Sequence, residues 1–198
     1  RPTTEERALF EAAVASIDVT VHKPHAPIVV AFADVSVSIS RVRATDNGRT
    51  AEEHAIHNAV VALGGNVGEV ESTLRAAVRE IDALPGTQVT GISPLYRTAA
   101  WGMAGTPDFL NAVVELETTM GSHELLAALQ NIEANHGRIR ENHWDSRPLD
   151  LDIIDFDGIT SADPDLALPH PRAWQRAFVL APWLALNPNA KLAGAHEG

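Results

Sequence analysis

The run RPLDLDIIDFDG, residues 147–158, sets the carboxylates Asp150, Asp152, Asp155 and Asp157 among leucine, isoleucine and phenylalanine. In a strand, successive side chains project to opposite faces, so Asp150 and Asp152 share one face while Leu149, Leu151 and Ile153 take the other. Two carboxylates at that spacing lie within about 7 Å of each other and repel unless a cation sits between them. Mg²⁺ suits such a pair, because it takes one or two protein carboxylates and completes its shell with water and substrate phosphates. Asp155 and Asp157 fall on the opposite parity beside Gly158 and are expected to be turn residues without a catalytic role. By itself an Asp-x-Asp pair reads equally well as the exposed face of an edge strand.

The upstream stretch GRIRENHWDSR tips that balance. Arg138, Arg140 and Arg147, with Trp144, precede the acid pair in a loop too polar to pack, and Arg172 and Arg176 follow it. Guanidinium forks bind phosphate oxygens bidentately, and lysine occurs only at Lys23 and Lys191. A net charge of −11 argues against a broad nucleic-acid surface, so the clustered arginines point instead to a compact polyphosphate. Acid pair, arginines and a possible base-stacking tryptophan fit phosphoryl-type transfer from a nucleotide, in which positioning and charge neutralisation supply most of the catalysis. No Walker-type G-x-x-x-x-G-K-[ST] loop occurs.

These residues need elements to position them. The chain has 198 residues, 45% hydrophobic, enough for one domain with an appendage or for two small domains. It contains no cysteine, which excludes disulfides, thiolate metal sites and thiol nucleophiles and favours an intracellular, cytoplasmic location. No apolar run is long enough to span a membrane. The start at Arg1 suggests a piece of a longer polypeptide.

TTEERALFEAAVASI has helix-forming composition, ADVSVSISRV alternates like a half-buried strand, and residues 44–57 read as a polar linker. From Asn58 the pattern becomes regular. AVVALG is a strand, EVESTLRAAVREIDAL a helix stopped by Pro85-Gly86, and TQVTGIS and FLNAVVELETT two further strands. SHELLAALQNIEANH is a helix capped by Ser122 and ended near Gly137, and PLDLDIIDF is the fourth strand. The order βαββαβ predicts an α+β, ferredoxin-like fold, a four-stranded antiparallel sheet with helices on one face. DPDLALPHPRAWQRAFVLAPWLAL then reads as a Pro-rich loop and a short apolar helix.

With these elements in place, residues 58 to about 190 resemble the 6-hydroxymethyl-7,8-dihydropterin pyrophosphokinase family of folate biosynthesis. ALGGN, SPLYRT, PDFLNAVVELET, GRIR, R-x-x-D-L-D-I-I and LPHPRAWQRAFVL carry the resemblance, in that order. It implies transfer of pyrophosphate from ATP to the pterin hydroxymethyl oxygen, releasing AMP, with two Mg²⁺ ions on Asp150 and Asp152 and with Arg138 and Arg147 completing the catalytic set. Gln130, Glu133, Arg140, Trp144, Arg147, His170 and Arg176 match the family's ATP contacts. Gly64, Gly65, Asn66, Thr98, Phe109, Asn111 and Phe178 match its pterin contacts. On residue type alone Phe109 and Phe178 read as core aromatics, whereas Asn111 within an apolar strand needs buried partners. His22, His25, His54 and His57 show no ligand spacing and read as surface residues.

The chain departs from the family pattern at His143 and Asp145, which flank Trp144, and at Ala167, where the family commonly has threonine. Asp145 adds negative charge beside the expected triphosphate, so weaker ATP binding or a slower closed state is expected, and Asp145→Gly should change binding or turnover. Residues 17–43 resemble a second family, the C-terminal part of dihydroneopterin aldolase, through VTVHKPHAPI and FADVSVSISR, with Lys23 at its catalytic lysine. Only about a third of an aldolase domain is covered, so this segment is expected to be inactive and part of a folate-pathway fusion. The expected organisation is an aldolase-like segment over 1–43, a linker over 44–57 and a pyrophosphokinase domain over 58–198. The last is expected to be monomeric, with any oligomerisation through the aldolase part. The rivals are a catalytically weak pterin- or nucleotide-binding module and an RNA-binding sheet; net charge and the missing aromatic strand motif exclude the second.

Overall fold

The computed structural model describes residues 30–32, 37–38, 55–98, 107–137 and 148–193. Lys23, the helix expected near the N-terminus and the linker through residue 54 lie outside the described residues. Two short strands come first, β1 (Val30–Phe32) and β2 (Val37–Ser38), followed by β3 (His57–Gly65) and helix α1 (Val70–Asp82). Next are β4 (Thr87–Ile92), β5 (Leu95–Thr98), β6 (Phe109–Thr118), helix α2 (Ser122–Asn135) and β7 (Asp150–Phe156). A small hairpin, β8 (Ser161–Ala162) and β9 (Ala167–Leu168), leads through a 3₁₀ turn (Ala173–Gln175) to helix α3 (Ala177–Leu186).

The expected α+β architecture is present. β3 and β6 lie side by side at the centre, β7 pairs with the free side of β3, and β4 and β5 pair in succession with the far side of β6, all antiparallel. β1 and β2 extend that far side by pairing with β5 and β4.

The expected strand TQVTGIS is β4, and a strand not expected from the sequence, β5, follows it after a break at Pro94, which has no N–H to give to the ladder. Ser93 bridges the break: its N–H donates to the Val113 carbonyl at 2.9 Å, and its hydroxyl accepts the Val113 N–H at 2.8 Å.

Apolar periodicity builds the helices as expected. α1 buries Val70, Leu74, Ala77, Val78 and Ile81 in one stripe, and α2 buries Leu125, Leu129 and Ile132. Gly86 and Gly137 follow the two helices in left-handed backbone at φ of 64° and 82°, where glycine avoids the strain of a side chain. Ser122 does not cap α2. Gly121 is still extended and holds the cap position, its carbonyl accepting the Leu125 N–H at 2.9 Å, so Ser122 is the first helical residue.

α1 and α2 cover one face of the sheet, where Val61, Leu63, Ala112, Val114, Leu151 and Ile153 form a continuous core with them. The third helix crosses the opposite face and covers only part of it. There Val60, Val113 and Ile154 meet Ala173, Val179 and Trp183. Glu115 anchors α3 by accepting from Trp183 Nε1 and Asn187 Nδ2, both at 3.0 Å, and Gly91 leaves room for Leu186. Among the described residues no helix is long and apolar enough to cross a membrane.

Candidate active site

The part of the second face that α3 leaves open collects polar residues from β5, β6 and β7 around Gly64 of β3. Gly64 pairs across the sheet with Asn111 on one side and Asp150 on the other, and Ala62 pairs with Asp152. A side chain at Gly64 would stand 2.9 Å from Asn111 Oδ1, and one at Gly65 would stand 2.5 Å from the Pro148 carbonyl. The two glycines therefore let the Asn111 amide and the chain entering β7 approach β3 closely. Asn111 is buried, as its polarity demanded of a partner, and donates through Nδ2 to Thr98 Oγ1 at 3.0 Å. Thr98 faces Phe109 across β5 and β6. Asn66 is buried just beyond the end of β3.

At the acidic end, two side chains from the segment before α3 converge on one oxygen. Arg176 Nη1 donates to Asp152 Oδ2 at 3.3 Å, and His170 Nε2 lies 3.7 Å from the same atom. His170 Nδ1 accepts the Arg172 N–H at 3.2 Å, so a neutral imidazole carries its proton on Nε2, toward Asp152. Burial holds the His170 pKa below its ordinary value, with Arg176 pushing the same way and Asp152 opposing both. The Arg176 guanidinium also lies over the Phe178 ring, 5.6 Å from its centroid. Phe178 itself packs against the cluster formed by Val60, Val113 and Ile154, so it is half core and half site.

The two α2 residues lie on the other side of the sheet. Gln130 is exposed. Glu133 is 2% exposed, and its Oε1 accepts the Leu151 N–H at 2.7 Å, on the side of β7 where no strand pairs among the described residues. A helix carboxylate thus holds the strand between its two outward-facing aspartates. Nothing in the strand sequence signals this contact.

The expected division of the four aspartates needs one correction. Asp157 is a turn residue, at φ 51°, with its carboxylate taking the Asn58 N–H at 2.7 Å and His57 Nδ1 at 2.6 Å. Burial alone would raise the Asp157 pKa, but the Asn58 N–H and His57 outweigh it and hold the carboxyl below its usual range. His57, expected as a plain surface residue in the linker, instead opens β3 and is partnered.

Asp155 is neither in the turn nor on the opposite face. The β3–β7 register shifts between Val60 and Val61, so Ile153 pairs with Val61 and Asp155 with Val60, leaving Ile154 as a bulge. The extra residue reverses the parity and returns Asp155 to the face that carries Asp150 and Asp152. It is 9% exposed, and its Oδ2 accepts the Gly158 N–H at 3.0 Å while Oδ1 is buried without a partner. Burial raises its pKa, the Gly158 bond opposes this and Asp157 adds to it.

Arg138, Arg140, Trp144 and Arg147, together with His143 and Asp145, lie outside the described residues. Of the other residues the sequence singled out, Gly64, Thr98, Phe109, Asn111, Asp150 and Asp152 share one sheet face, with His170, Arg176 and Phe178 set against it.

A family model for 7,8-dihydro-6-hydroxymethylpterin-pyrophosphokinase matches residues 60–188. A 2-amino-4-hydroxy-6-hydroxymethyldihydropteridine pyrophosphokinase of Methylorubrum extorquens is 38% identical over 136 residues, 69% of this chain and 86% of that protein. The protein of the same name from Bacillus subtilis is 41% identical over 124 residues, 63% of this chain and 74% of its own length. A folate synthesis bifunctional protein of Arabidopsis thaliana, described as mitochondrial, is 42% identical over 134 residues, 68% of this chain and 24% of that protein.

Proposed function

Since this chain belongs to the 7,8-dihydro-6-hydroxymethylpterin-pyrophosphokinase family, we propose that the open face of its sheet is the site of pyrophosphate transfer, with Asp150 and Asp152 at the transferring group. The reaction moves pyrophosphate from ATP to 6-hydroxymethyl-7,8-dihydropterin, giving the pterin diphosphate and AMP for tetrahydrofolate synthesis. The observation that carries the assignment is the convergence of His170 and Arg176 on Asp152, one strand away from Gly64 and two from Asn111.

Asp150 and Asp152 fit a hard divalent cation. They are half-buried carboxylates on one face, and their low number suits Mg²⁺ that takes phosphate oxygens as further ligands. Two Mg²⁺ ions held there would neutralise the polyphosphate and polarise the phosphorus under attack. Arg176 presents a planar fork to phosphate oxygens, and His170 presents an Nε2–H. Both already stand at Asp152, so the Arg176 charge and the His170 Nε2–H are in place before the nucleotide arrives and little reorganisation is needed. Arg138, Arg140, Arg147 and Trp144 complete the nucleotide side in this reading, while Glu133 acts from α2 through the Leu151 N–H that it holds between the two aspartates.

The pterin belongs on the neighbouring strands. Asn111 and Thr98 offer an amide and a hydroxyl to the polar edge of the heterocycle, and Phe109 and Phe178 offer aromatic surfaces to its flat faces. In-line attack requires the pterin hydroxymethyl oxygen to lie beside the acid pair, which the Gly64 pairings with both Asn111 and Asp150 permit.

The upstream segment belongs, in the same reading, to a folate-pathway fusion without aldolase turnover of its own. The match to a plant protein named as bifunctional in folate synthesis supports a fused arrangement in general. The deciding experiment for the site is AMP release with and without the pterin. Pterin-dependent AMP that disappears in Asp150→Ala is the expected result; retention of activity in that variant would refute the assignment.

A further inference from the structure

The sheet extends beyond the part of the chain that the family model matches. β1 and β2 lie upstream of residue 60, in the segment that resembles the end of an aldolase, yet both are strands of the pyrophosphokinase sheet. Val30, Ala31 and Phe32 pair with Arg97, Tyr96 and Leu95, and Val37 and Ser38 pair with Ile92 and Gly91, all antiparallel. The two short strands therefore lie in succession along the outer side of β5 and then β4. Four residues separate Phe32 from Val37, against the two, Ser93 and Pro94, that separate Leu95 from Ile92, so the register slips by two residues at the level of Pro94.

β5 is the strand that needs this support. It has four residues, and it pairs with β6 at only three of them, Tyr96, Arg97 and Thr98. Burial anchors its first half, with Leu95 2% and Tyr96 4% exposed, but Arg97 and Thr98 are only half-buried. The end that carries Thr98 therefore depends on its ladders, β6 on one side and β1 on the other. A strand paired on both sides sends every N–H and C=O into a ladder; paired on one side, it leaves alternate groups to water. β1 reaches along β5 as far as Arg97, the neighbour of Thr98, and Thr98 Oγ1 accepts from Asn111 Nδ2 at 3.0 Å. We propose that the upstream segment carrying β1 is a positioning element for pyrophosphate transfer, pinning β5 so that Thr98 and Asn111 meet the pterin in one fixed arrangement. This rests on the placement of the pterin at Asn111 and Thr98. A site assembled in only a fraction of molecules binds more weakly by that fraction, so loosening β5 is read as lost pterin affinity, while the nucleotide end on β7 is untouched.

Proline substitution in β1 of the full chain is the test. Adjacent residues of a strand direct their N–H groups to opposite sides, so proline at one of Val30 and Ala31 removes an N–H that faces β5, and proline at the other is tolerated. The sensitive variant is expected to raise the KM for the pterin about three- to tenfold with the KM for ATP unchanged. It should also lose hydrogen-exchange protection at the β5 amides that face β1 but not at those that face β6. Ala31→Gly, which loosens β1 without removing an N–H, should move the pterin KM the same way by about twofold. Proline at Val37 and at Ser38 is the control, because β2 borders β4, away from Thr98: one of the two should lose protection in β4, and both should keep the wild-type pterin KM. Unchanged β5 protection in both β1 variants, or lost protection with an unchanged pterin KM, would overturn the proposal. So would an equal rise in pterin KM from the β2 variants, by showing a general loosening of the sheet. Failure of the underlying reading gives a different pattern: Thr98→Val would then keep the wild-type pterin KM with β5 protection intact. Retained amide protection across α1 and α2 excludes unfolding of the proline variants.

Discussion

The two faces of the central sheet are built from alternate residues of the same strands, yet they are unlike. Under α1 and α2, β3, β6 and β7 present valine, leucine, isoleucine and alanine, with Phe156 at the end of β7. On the other face the same strands present Gly64, Asn111, Asp150 and Asp152, and only the part beneath α3 is apolar. The first face supplies the burial that holds the sheet flat against its helices, and that stability lets the second face keep like charges and a buried amide close together. A strand of period two delivers both functions from one short run of residues, which is why β7 reads as acid and leucine in alternation.

Substitutions on opposite faces of β7 give the sharpest test of this division. Leu151→Ala deletes a buried side chain and is expected to cost about 2–5 kcal/mol of stability in denaturant unfolding. The folded fraction should retain most of its turnover, whereas Asp150→Ala is expected to keep the thermal midpoint and lose pterin-dependent AMP formation. If Leu151→Ala abolished kcat while leaving stability intact, the two faces would not be separable in this way.

Glu133 should couple them. Its carboxylate holds the Leu151 N–H between the two aspartates, so Glu133→Ala leaves that donor without its protein partner and is expected to cost about 1–3 kcal/mol. It should also lower kcat, because the backbone carrying both carboxylates loses its anchor on the open side. Chemical denaturation and AMP release on the same preparation would show both losses; a change in only one would assign Glu133 to that face alone.

Asn111→Ala lies wholly on the site face. It removes one hydrogen-bonding amide, and the KM for the pterin should rise about five- to tenfold with little change in the KM for ATP. An ATP effect of equal size would move Asn111 out of the pterin subsite.

The smallest effect is a pH-dependent one at Asp155. Burial raises its folded pKa above the unfolded value, so the folded state holds the proton more tightly. The associated stability is fully present below the unfolded pKa and is lost as pH rises through the folded value. Asp155→Asn should therefore be more stable than wild type at neutral pH, with the difference shrinking as the solution is acidified. Asp157 shifts the other way, so its contribution is present above its unfolded pKa and lost on acidification. Thermal midpoints of Asp155→Asn and wild type across pH 3–8 would check the sign.

Much of this molecule is legible in its sequence because the signals are local. Apolar spacing within a single segment marks α1, α2, β3, β6 and β7, and strand parity alone puts Asp150 and Asp152 on one face with Leu151 behind them. The order of motifs also led to the family. Parity failed at Asp155, because a bulge depends on how β7 pairs with β3, and pairing is a property of two segments remote in the chain. The same reason hid the Ser93 bridge across the Pro94 break, the Glu133 hold on Leu151 and the meeting of His170 and Arg176 at one Asp152 oxygen. Periodicity determines which way a side chain points from its own backbone. Which partner it finds there is decided only when register and packing bring distant segments together.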